Sequence, residues 1–393
     1  MTKDFRWFDP TELIFGPGKL NTLHTLEMPG KKALLVISDG KSARANGSLA
    51  RTEEQLRMVG VEMVLFDRVG PNPEKPVVEA GARLARAQGC DMVVALGGGS
   101  VMDAAKVMAA FAVMPGDDLW DYAPGATGRR KPLDIPSLPT IMITTSAGTG
   151  SEVDSWGVIT NPKTREKVGI GRVRHMFPVY AIVDPELMVT VPPKFTAYQG
   201  FDALFHNMEG YISNAANFMG DMIQESAMEK IGAYLERAVK DGTDLEARAN
   251  VAYANTMGGY SMIITGTTSE HGMEHAMSAY HTALPHGAGL IMISLEYFRY
   301  FIQKHVCDER FVRMARALGR RDAEKPEEFL DALADLQRAC GVDDLKMSDY
   351  GITPEELPKF VQNAKTVMAP QFTKDRYPMT DEDCEEIYRR SFR

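Results

Sequence analysis

The chain has 393 residues, of which 44% are hydrophobic and 25% charged, the balance of a globular protein large enough for two domains. A formal net charge of -9 argues against nucleic acid or an anionic membrane as partner. The opening Met1-Thr2-Lys3-Asp4-Phe5-Arg6-Trp7 lacks the apolar core of a signal peptide, and no run of about 18 apolar residues marks a membrane span. A cytoplasmic protein is expected. The cysteines Cys90, Cys307, Cys340 and Cys384 are scattered, contain no CxxC pair, and read as reduced thiols.

Strand and helix signals alternate through the first half. Residues 33–38, 61–66, 91–96, 141–145 and 180–183 are short apolar runs bounded by polar residues, Gly or Pro, as buried parallel strands are. Residues 53–58, 76–87 and 101–111 between them read as helices. This βαβ alternation predicts a doubly wound parallel sheet. After Asp184-Pro185 strand signals fade. Helical periodicity covers residues 218–239, 244–264, 327–338 and 354–367. Thr353-Pro354-Glu355-Glu356 combines an N-cap, a first-turn Pro and a capping-box Glu. The boundary falls near residues 184–195, in the Pro-containing segment ending Val191-Pro192-Pro193. The expected division is an α/β dinucleotide-binding domain over 1–185 and an all-helical metal and substrate domain over 186–393.

Leu96-Gly97-Gly98-Gly99-Ser100 follows a strand and precedes a helix. Glycines let a ligand approach the backbone, and a helix start offers free N–H groups to a pyrophosphate. The spacing is not GxGxxG, and an ordinary tight turn is the alternative. Thr144-Thr145-Ser146-Ala147-Gly148-Thr149-Gly150-Ser151 also follows a strand and is dense in hydroxyls suited to a nucleotide. Asp39 follows the strand at 33–38, where an acid accepts both ribose hydroxyls of NAD and repels the 2′-phosphate of NADP. Lys41 and Ser42 nearby point the other way, and a plain turn is the alternative.

Asp202 and His206 stand four apart, as do His271 and His275, and His286 follows in Pro285-His286-Gly287. Side chains four apart share a helix face, with Cβ atoms roughly 6 Å apart. Two such helices facing each other can close one carboxylate and several imidazoles around Fe(II) or Zn(II). His24, His175 and His305 have no such company. His281 lies near the cluster in sequence but outside its spacing.

Together these segments resemble the iron-containing (group III) alcohol dehydrogenase family. The resemblance rests on Gly97-Gly98-Gly99-Ser100-Val101-Met102-Asp103-Ala104-Ala105-Lys106, on Thr144 through Glu152, and on Asp184-Pro185-Glu186-Leu187. It continues through Gly200-Phe201-Asp202-Ala203-Leu204-Phe205-His206, His271-Gly272-Met273-Glu274-His275 and Pro285-His286-Gly287-Ala288-Gly289-Leu290, collinear over nearly the whole chain. It implies that Asp202, His206, His271 and His286 bind the metal, with His275 near the substrate and not a ligand. Gly97, Gly98, Ser100, Asp103, Thr144, Thr145 and Thr149 match cofactor-contacting stretches. Asp39 matches the position that favours NAD over NADP, and Lys167 a lysine near the nicotinamide ribose. One departure is a segment between His275 and His286 that is a residue longer than in many relatives, which bears on substrate-pocket shape.

The expected activity is hydride transfer between NAD(H) and a primary alcohol or short diol, aldehyde reduction being the reverse, with Fe(II), or Zn(II), as the metal. His275 is the expected catalytic residue, relaying the alcohol proton. The alternative is an NAD- and metal-dependent lyase or cyclase similar to dehydroquinate synthase. That chemistry needs a basic pocket for an anionic substrate, and the metal-binding segments carry no Lys/Arg cluster. A non-enzymatic nucleotide or metal sensor is the third reading. A homo-oligomer, a dimer in particular, is expected from the resemblance.

Overall fold

The computed structural model describes residues 4–393. They form two compact units: Phe8–Ser146 with Gly150–Thr190, and residues 4–7 with Ala147–Thr149 and Val191–Arg393. Among the described residues no helix is long and apolar enough to cross a membrane.

The first unit contains strands β1 (Glu12–Phe15), β2 (Lys32–Ser38), β3 (Glu62–Val69), β4 (Met92–Gly97), β5 (Thr140–Thr144), β6 (Trp156–Asn161), β7 (Glu166–Gly171) and β8 (Tyr180–Val183). Its helices are α1 (Ser42–Ala45), α2 (Ser48–Met58), α3 (Lys75–Gln88) and α4 (Gly99–Phe111). Six strands pair in parallel in the order β1-β8-β5-β4-β2-β3. Helix-covered parallel strands bury both faces, which is why β4 and β5 are buried at every residue. Leu35, Ile37, Val94, Leu96, Ile143 and Ile182 form one core with Leu20, Leu49 and Leu56.

The strand order sets where a ligand can sit. From β2 the chain steps outward to β3, then returns to β4 on the opposite side of β2. The carboxyl ends of β2 and β4 therefore bound a topological switch point, where open α/β sheets bind ligands. Val36 pairs with Ala95 across these strands. Asp39 and Gly98, three residues further along each, thus emerge at the same end of the sheet.

Two features are absent from the sequence reading. β1 is only four residues long and shows as a strand only through its pairing with β8. The β6–β7 antiparallel hairpin interrupts the βαβ alternation, and its turn is closed by Arg165 at φ 57°. Its apolar pattern is broken by Glu166 and Lys167, which are nonetheless buried.

The second unit holds α5 (Pro193–Ile212), α6 (Phe218–Lys240), α7 (Leu245–Ile264), α8 (Ser269–Tyr280), α9 (His286–Gln303), α10 (Asp308–Ala317), α11 (Glu328–Ala339), α12 (Leu357–Val367), α13 (Ala369–Phe372) and α14 (Asp381–Ser391). No strand occurs among its described residues. Thr353 and Glu356 form the expected capping box, closing a 3-10 turn that leads into α12. α5 is the central helix and packs against α6, α7 and α9. It is buried on every side from Gly200 to Ile212, so it carries no amphipathic stripe. Phe201 and Phe205 lead an aromatic row that continues through Phe298 to Phe311 and Phe329. Each such buried ring contributes roughly 1.5–3 kcal/mol. Against that background Asp202, His206 and Glu209 are buried polar groups in a helix otherwise packed in apolar surroundings. Polar groups there are costly unless paired.

Candidate metal centre and cofactor loops

Three helices bring the predicted ligands together. α5 presents Asp202 and His206 one turn apart, and α8 presents His271 and His275 one turn apart. His286 is the first residue of α9, fixed behind Pro285. Around Asp202 Oδ1, His206 Nδ1 stands at 3.5 Å, His271 Nε2 at 3.6 Å and His286 Nε2 at 3.6 Å. Asp202 Oδ1 and His271 Nε2 are buried and have no hydrogen-bond partner among the described residues. A buried orphan of this kind costs about 1–3 kcal/mol. Orphans converging from separate helices, one carboxylate among imidazoles, are a donor set that fits a divalent cation.

Asp202, His271 and His286 offer ligand atoms that all lie within 4.8 Å of one another. His206 stands outside that trio, its ring 4.4 Å from that of His271. Its Nδ1 lies 3.2 Å from the Gly148 carbonyl, which leaves Nε2 as its ligand atom. Gly148 makes this close approach possible: a Cβ there would stand 3.0 Å from Asp202 Oδ2. His275 is buried one turn beyond His271, its ring 5.4 Å from that of His286. It groups with Glu274 and His286 rather than with Asp202.

Two carboxylates that the sequence reading missed hold the imidazoles. Glu209 on α5 accepts from His271 Nδ1, and Glu274 on α8 accepts from His286 Nδ1. Both are fully buried. An acceptor on Nδ1 fixes the tautomer whose Nε2 is free to ligate. The signal was available: Glu209 lies three residues after His206, and Glu274 lies between His271 and His275.

The electrostatics describe a site built for positive charge. Burial raises Asp202, but the imidazoles of His206, His286 and His271 outweigh it and hold the carboxyl below its usual range. Burial lowers His271, but Glu209 and Asp202 carry it up to about 10. Burial pushes His206 down to about 3, against the pull of Asp202.

In the first unit, α4 starts at Gly99 behind an extended Gly98, directly after β4. A Cβ on Gly97 would stand 2.5 Å from Val101 Cγ2, and one on Gly98 would stand 2.9 Å from Ser146 Oγ. The turn thus requires glycine for space. Ser100 is the second residue of the helix, and Thr144 turns its hydroxyl to the Ser146 carbonyl at 2.9 Å. Thr145 N–H bonds the Gly97 carbonyl at 3.0 Å, joining the two loops. Asp39 N–H bonds Val69 O at 3.0 Å, and the residue is exposed. Asp103 accepts from Ser151 Oγ and, at 2.9 Å, from Val158 N–H, which ties α4 to the following loop and β6. Burial raises the Asp103 carboxyl, against Lys106, these two hydrogen bonds and, last, Lys167, which lies buried on β7. Thr149 belongs with Gly148 to the second unit.

The sequence pattern described as iron-containing alcohol dehydrogenase matches residues 10–185, and that of the family's C-terminal region matches residues 196–392. The chain belongs to the iron-containing alcohol dehydrogenase family. It is 33% identical over 370 residues to the 1,3-propanediol dehydrogenase of Citrobacter freundii, covering 92% of this chain and 93% of that one. It is 31% identical, with the same coverage, to a probable NADH-dependent butanol dehydrogenase of Bacillus subtilis. The crystal structure of an archaeal halo-thermophilic alcohol dehydrogenase from a Red Sea brine pool superposes with a TM-score of 0.94, at 35% identity and 100% coverage of both chains. An alcohol dehydrogenase of this family is an oxidoreductase acting on CH–OH donors, and the donor set around Asp202 suits its iron. The cyclase alternative is not favoured, because the matching families and relatives are dehydrogenases.

Proposed function

We propose that this alcohol dehydrogenase transfers a hydride between NAD(H) and a primary alcohol or short diol, with aldehyde reduction as the reverse. The convergence of the His271 and His286 Nε2 atoms on the unbonded Asp202 Oδ1 carries the reading, with the His206 ring beside that of His271. The propanediol and butanol dehydrogenases among its relatives support the substrate class. Asp202, His206, His271 and His286 would hold Fe(II), and the same donors accept Zn(II). When bound, the cation supplies Lewis acidity toward a hydroxyl or carbonyl oxygen, and the nicotinamide supplies the hydride acceptor or donor.

The remaining work is done by the chain. Glu209 and Glu274 hold His271 and His286 with Nδ1 as donor. Asp202 adds the one fixed negative charge among the ligands. His275, one turn along α8, is the group assigned to receive the alcohol proton during oxidation and return it during reduction. Gly97, Gly98 and Ser100 would present backbone N–H groups to the pyrophosphate at the start of α4. Thr144, Thr145 and Thr149 supply hydroxyls for the nucleotide. Asp103 is assigned to the cofactor loops, with Lys106 beside it at 3.9 Å, and Lys167 to the nicotinamide ribose. Asp39 is assigned to the adenosine ribose hydroxyls, which selects NAD over NADP.

The dinucleotide role is assigned to residues 1–185, and the metal and substrate role to residues 186–393. A cytoplasmic location fits the four free cysteines. A homodimer fits the exposed apolar pair Phe218 and Met222 on α6, and sedimentation tests it.

The decisive experiment is nicotinamide absorbance in an anaerobic assay of Fe(II)-loaded protein with short primary alcohols, diols and their aldehydes. Turnover preferring NAD(H) is expected. Preference for NADP(H) would overturn the role of Asp39, and no turnover with either would sink the function.

A further inference from the structure

The N-terminus of α8 is held by an unusual cap. Its N-cap residue, Thr268, makes no side-chain cap of its own. Glu209 Oε2, from α5, accepts instead from Thr268 N–H at 2.8 Å and from Thr268 Oγ1 at 2.9 Å. The same oxygen stands 3.4 Å from His271 N. Asp375, from the C-terminal segment, takes Ser269 N–H at 3.1 Å. Between them sits Tyr297 of α9, whose hydroxyl donates to Thr268 Oγ1 at 2.8 Å and accepts from Ser269 Oγ at 3.1 Å. Tyr297, Thr268, Ser269 and Glu209 are all buried to 1% exposure or less.

The chain has a direction. A hydroxyl has one proton to give. Ser269 gives its proton to Tyr297, Tyr297 to Thr268, and Thr268 to Glu209. Every link therefore points at Glu209 and keeps that carboxylate an acceptor. Glu209 Oε1 in turn faces His271 Nδ1. An acceptor there obliges His271 to carry its proton on Nδ1 and leaves Nε2 for a cation. Tyr297 also joins α9, which starts at His286, to the N-terminus of α8, while Glu209 joins α5 to it. One hydroxyl thus ties together the three helices that carry the ligand set.

We propose that Tyr297 is a positioning residue of the metal centre, setting metal retention through Thr268 and Glu209 without touching the metal, its ligands or the substrate. The proposal rests on the metal-site reading given above. Partners one shell outside a ligand typically change metal affinity 10–100-fold when altered. Tyr297 acts two hydrogen bonds further out, through Thr268, so the low end of that range, about tenfold, is expected.

The test measures Fe(II) release from anaerobically loaded protein into an excess of a colorimetric ferrous chelator. Tyr297→Phe removes only the hydroxyl and keeps the ring packed on Phe298 and Phe301. Tyr388→Phe is the matched control, since Tyr388 is equally buried and donates to Met273 O of the same helix at 2.7 Å, outside the Glu209 chain. Release about tenfold faster in Tyr297→Phe, with Tyr388→Phe within twofold of the parent, is the expected result. Thr268→Val should match Tyr297→Phe. Equal release rates in the two tyrosine variants would overturn the proposal, whether both rise or neither does, because a general packing role predicts parity. His271→Ala separates the failures. If that variant retains iron, the site assignment fails; if it loses iron while Tyr297→Phe does not, only the role of Tyr297 fails.

Discussion

Gly97→Ala is the sharpest probe of the cofactor turn. A Cβ on Gly97 would lie 2.5 Å from Val101 Cγ2 and 2.6 Å from Val101 Cβ. Val101 is 2% exposed and β-branched, so it cannot rotate clear. Carbon atoms rest about 3.5–4.0 Å apart, so the strand-to-helix turn has to open by roughly 1 Å. Overpacking of this kind costs about 1–3 kcal/mol of stability. The larger effect falls on the ligand. The N–H groups displaced are those at the start of α4, and each charge-assisted hydrogen bond to a phosphate contributes about 1.5–3 kcal/mol. Misaligning one weakens NAD binding by about 10–100-fold, and misaligning two by about 10²–10⁴-fold. Titration calorimetry of NAD+ into Gly97→Ala reads this directly, and circular dichroism establishes that the variant is folded. Adding Val101→Ala should restore only part of the affinity, because it removes the Cγ contacts and leaves the one to Cβ. Iron content should stay at the parent level, since α5, α8 and α9 carry the ligands. A folded Gly97→Ala protein that binds NAD+ as the parent does would refute the placement of the pyrophosphate at this turn.

The other predictions concern the helical unit. Glu209→Gln puts an amide where His271 and Thr268 need an acceptor, so chelator competition should show metal affinity lower by 10–100-fold, with excess metal restoring activity; unchanged affinity would count against the orienting role. His275→Ala should lower kcat by about 10²–10⁴ while keeping its iron, and loss of iron together with activity would mean that His275 is structural. Burial raises Asp375 to about 7, over the hydrogen bonds from Ser269 that lower it. The folded state then binds more protons than the unfolded chain between about pH 4 and 7, so this group's stability is intact below pH 4 and lost as pH climbs to 7. The loss is at most about 4 kcal/mol, and Asp375→Asn should flatten it. Urea midpoints at pH 5 and pH 7.5 that respond identically in parent and variant would contradict the shift. Stripping the metal with a chelator should lower the unfolding free energy by about 4 kcal/mol where metal had stood at 1,000 times its dissociation constant, and an unmoved urea midpoint would argue against a site at Asp202.

Much of this was legible in the sequence because the features are local. The strands β2, β4, β5 and β8 announce themselves as continuous apolar runs, since a helix-covered parallel strand has no polar face. The i,i+4 pairs Asp202/His206 and His271/His275 show because helix geometry alone puts them on one face. What stayed hidden depends on tertiary contact. α5 has no stripe to read, because apolar neighbours surround it from Gly200 onward. Glu209 and Glu274 look like ordinary helix glutamates until their burial is known. The inclusion of Thr149 with the second unit reflects how Ala147–Thr149 docks on α5, through Gln199 to Ala147 N–H and His206 to the Gly148 carbonyl. Local periodicity carries no trace of that.

The buried charges explain why the ligand set alone does not define the site. Three carboxylates, Asp202, Glu209 and Glu274, sit within a protein interior that strongly disfavours isolated charge. Only Asp202 is assigned to ligate. If the other two merely fastened helices, a neutral amide or hydroxyl would serve with less desolvation. Each instead meets the Nδ1 of a histidine whose other nitrogen faces Asp202. Their charge therefore acts through an imidazole, making that ring a stronger donor and adding to the field that holds a cation beside Asp202. Glu209 and Asp202 raise His271 to about 10 against its burial, which expresses the same field. The outer carboxylates and the inner ligands thus form one electrostatic unit spread over α5, α8 and α9. Substituting either layer should change cation retention more than it changes the packing of the helices.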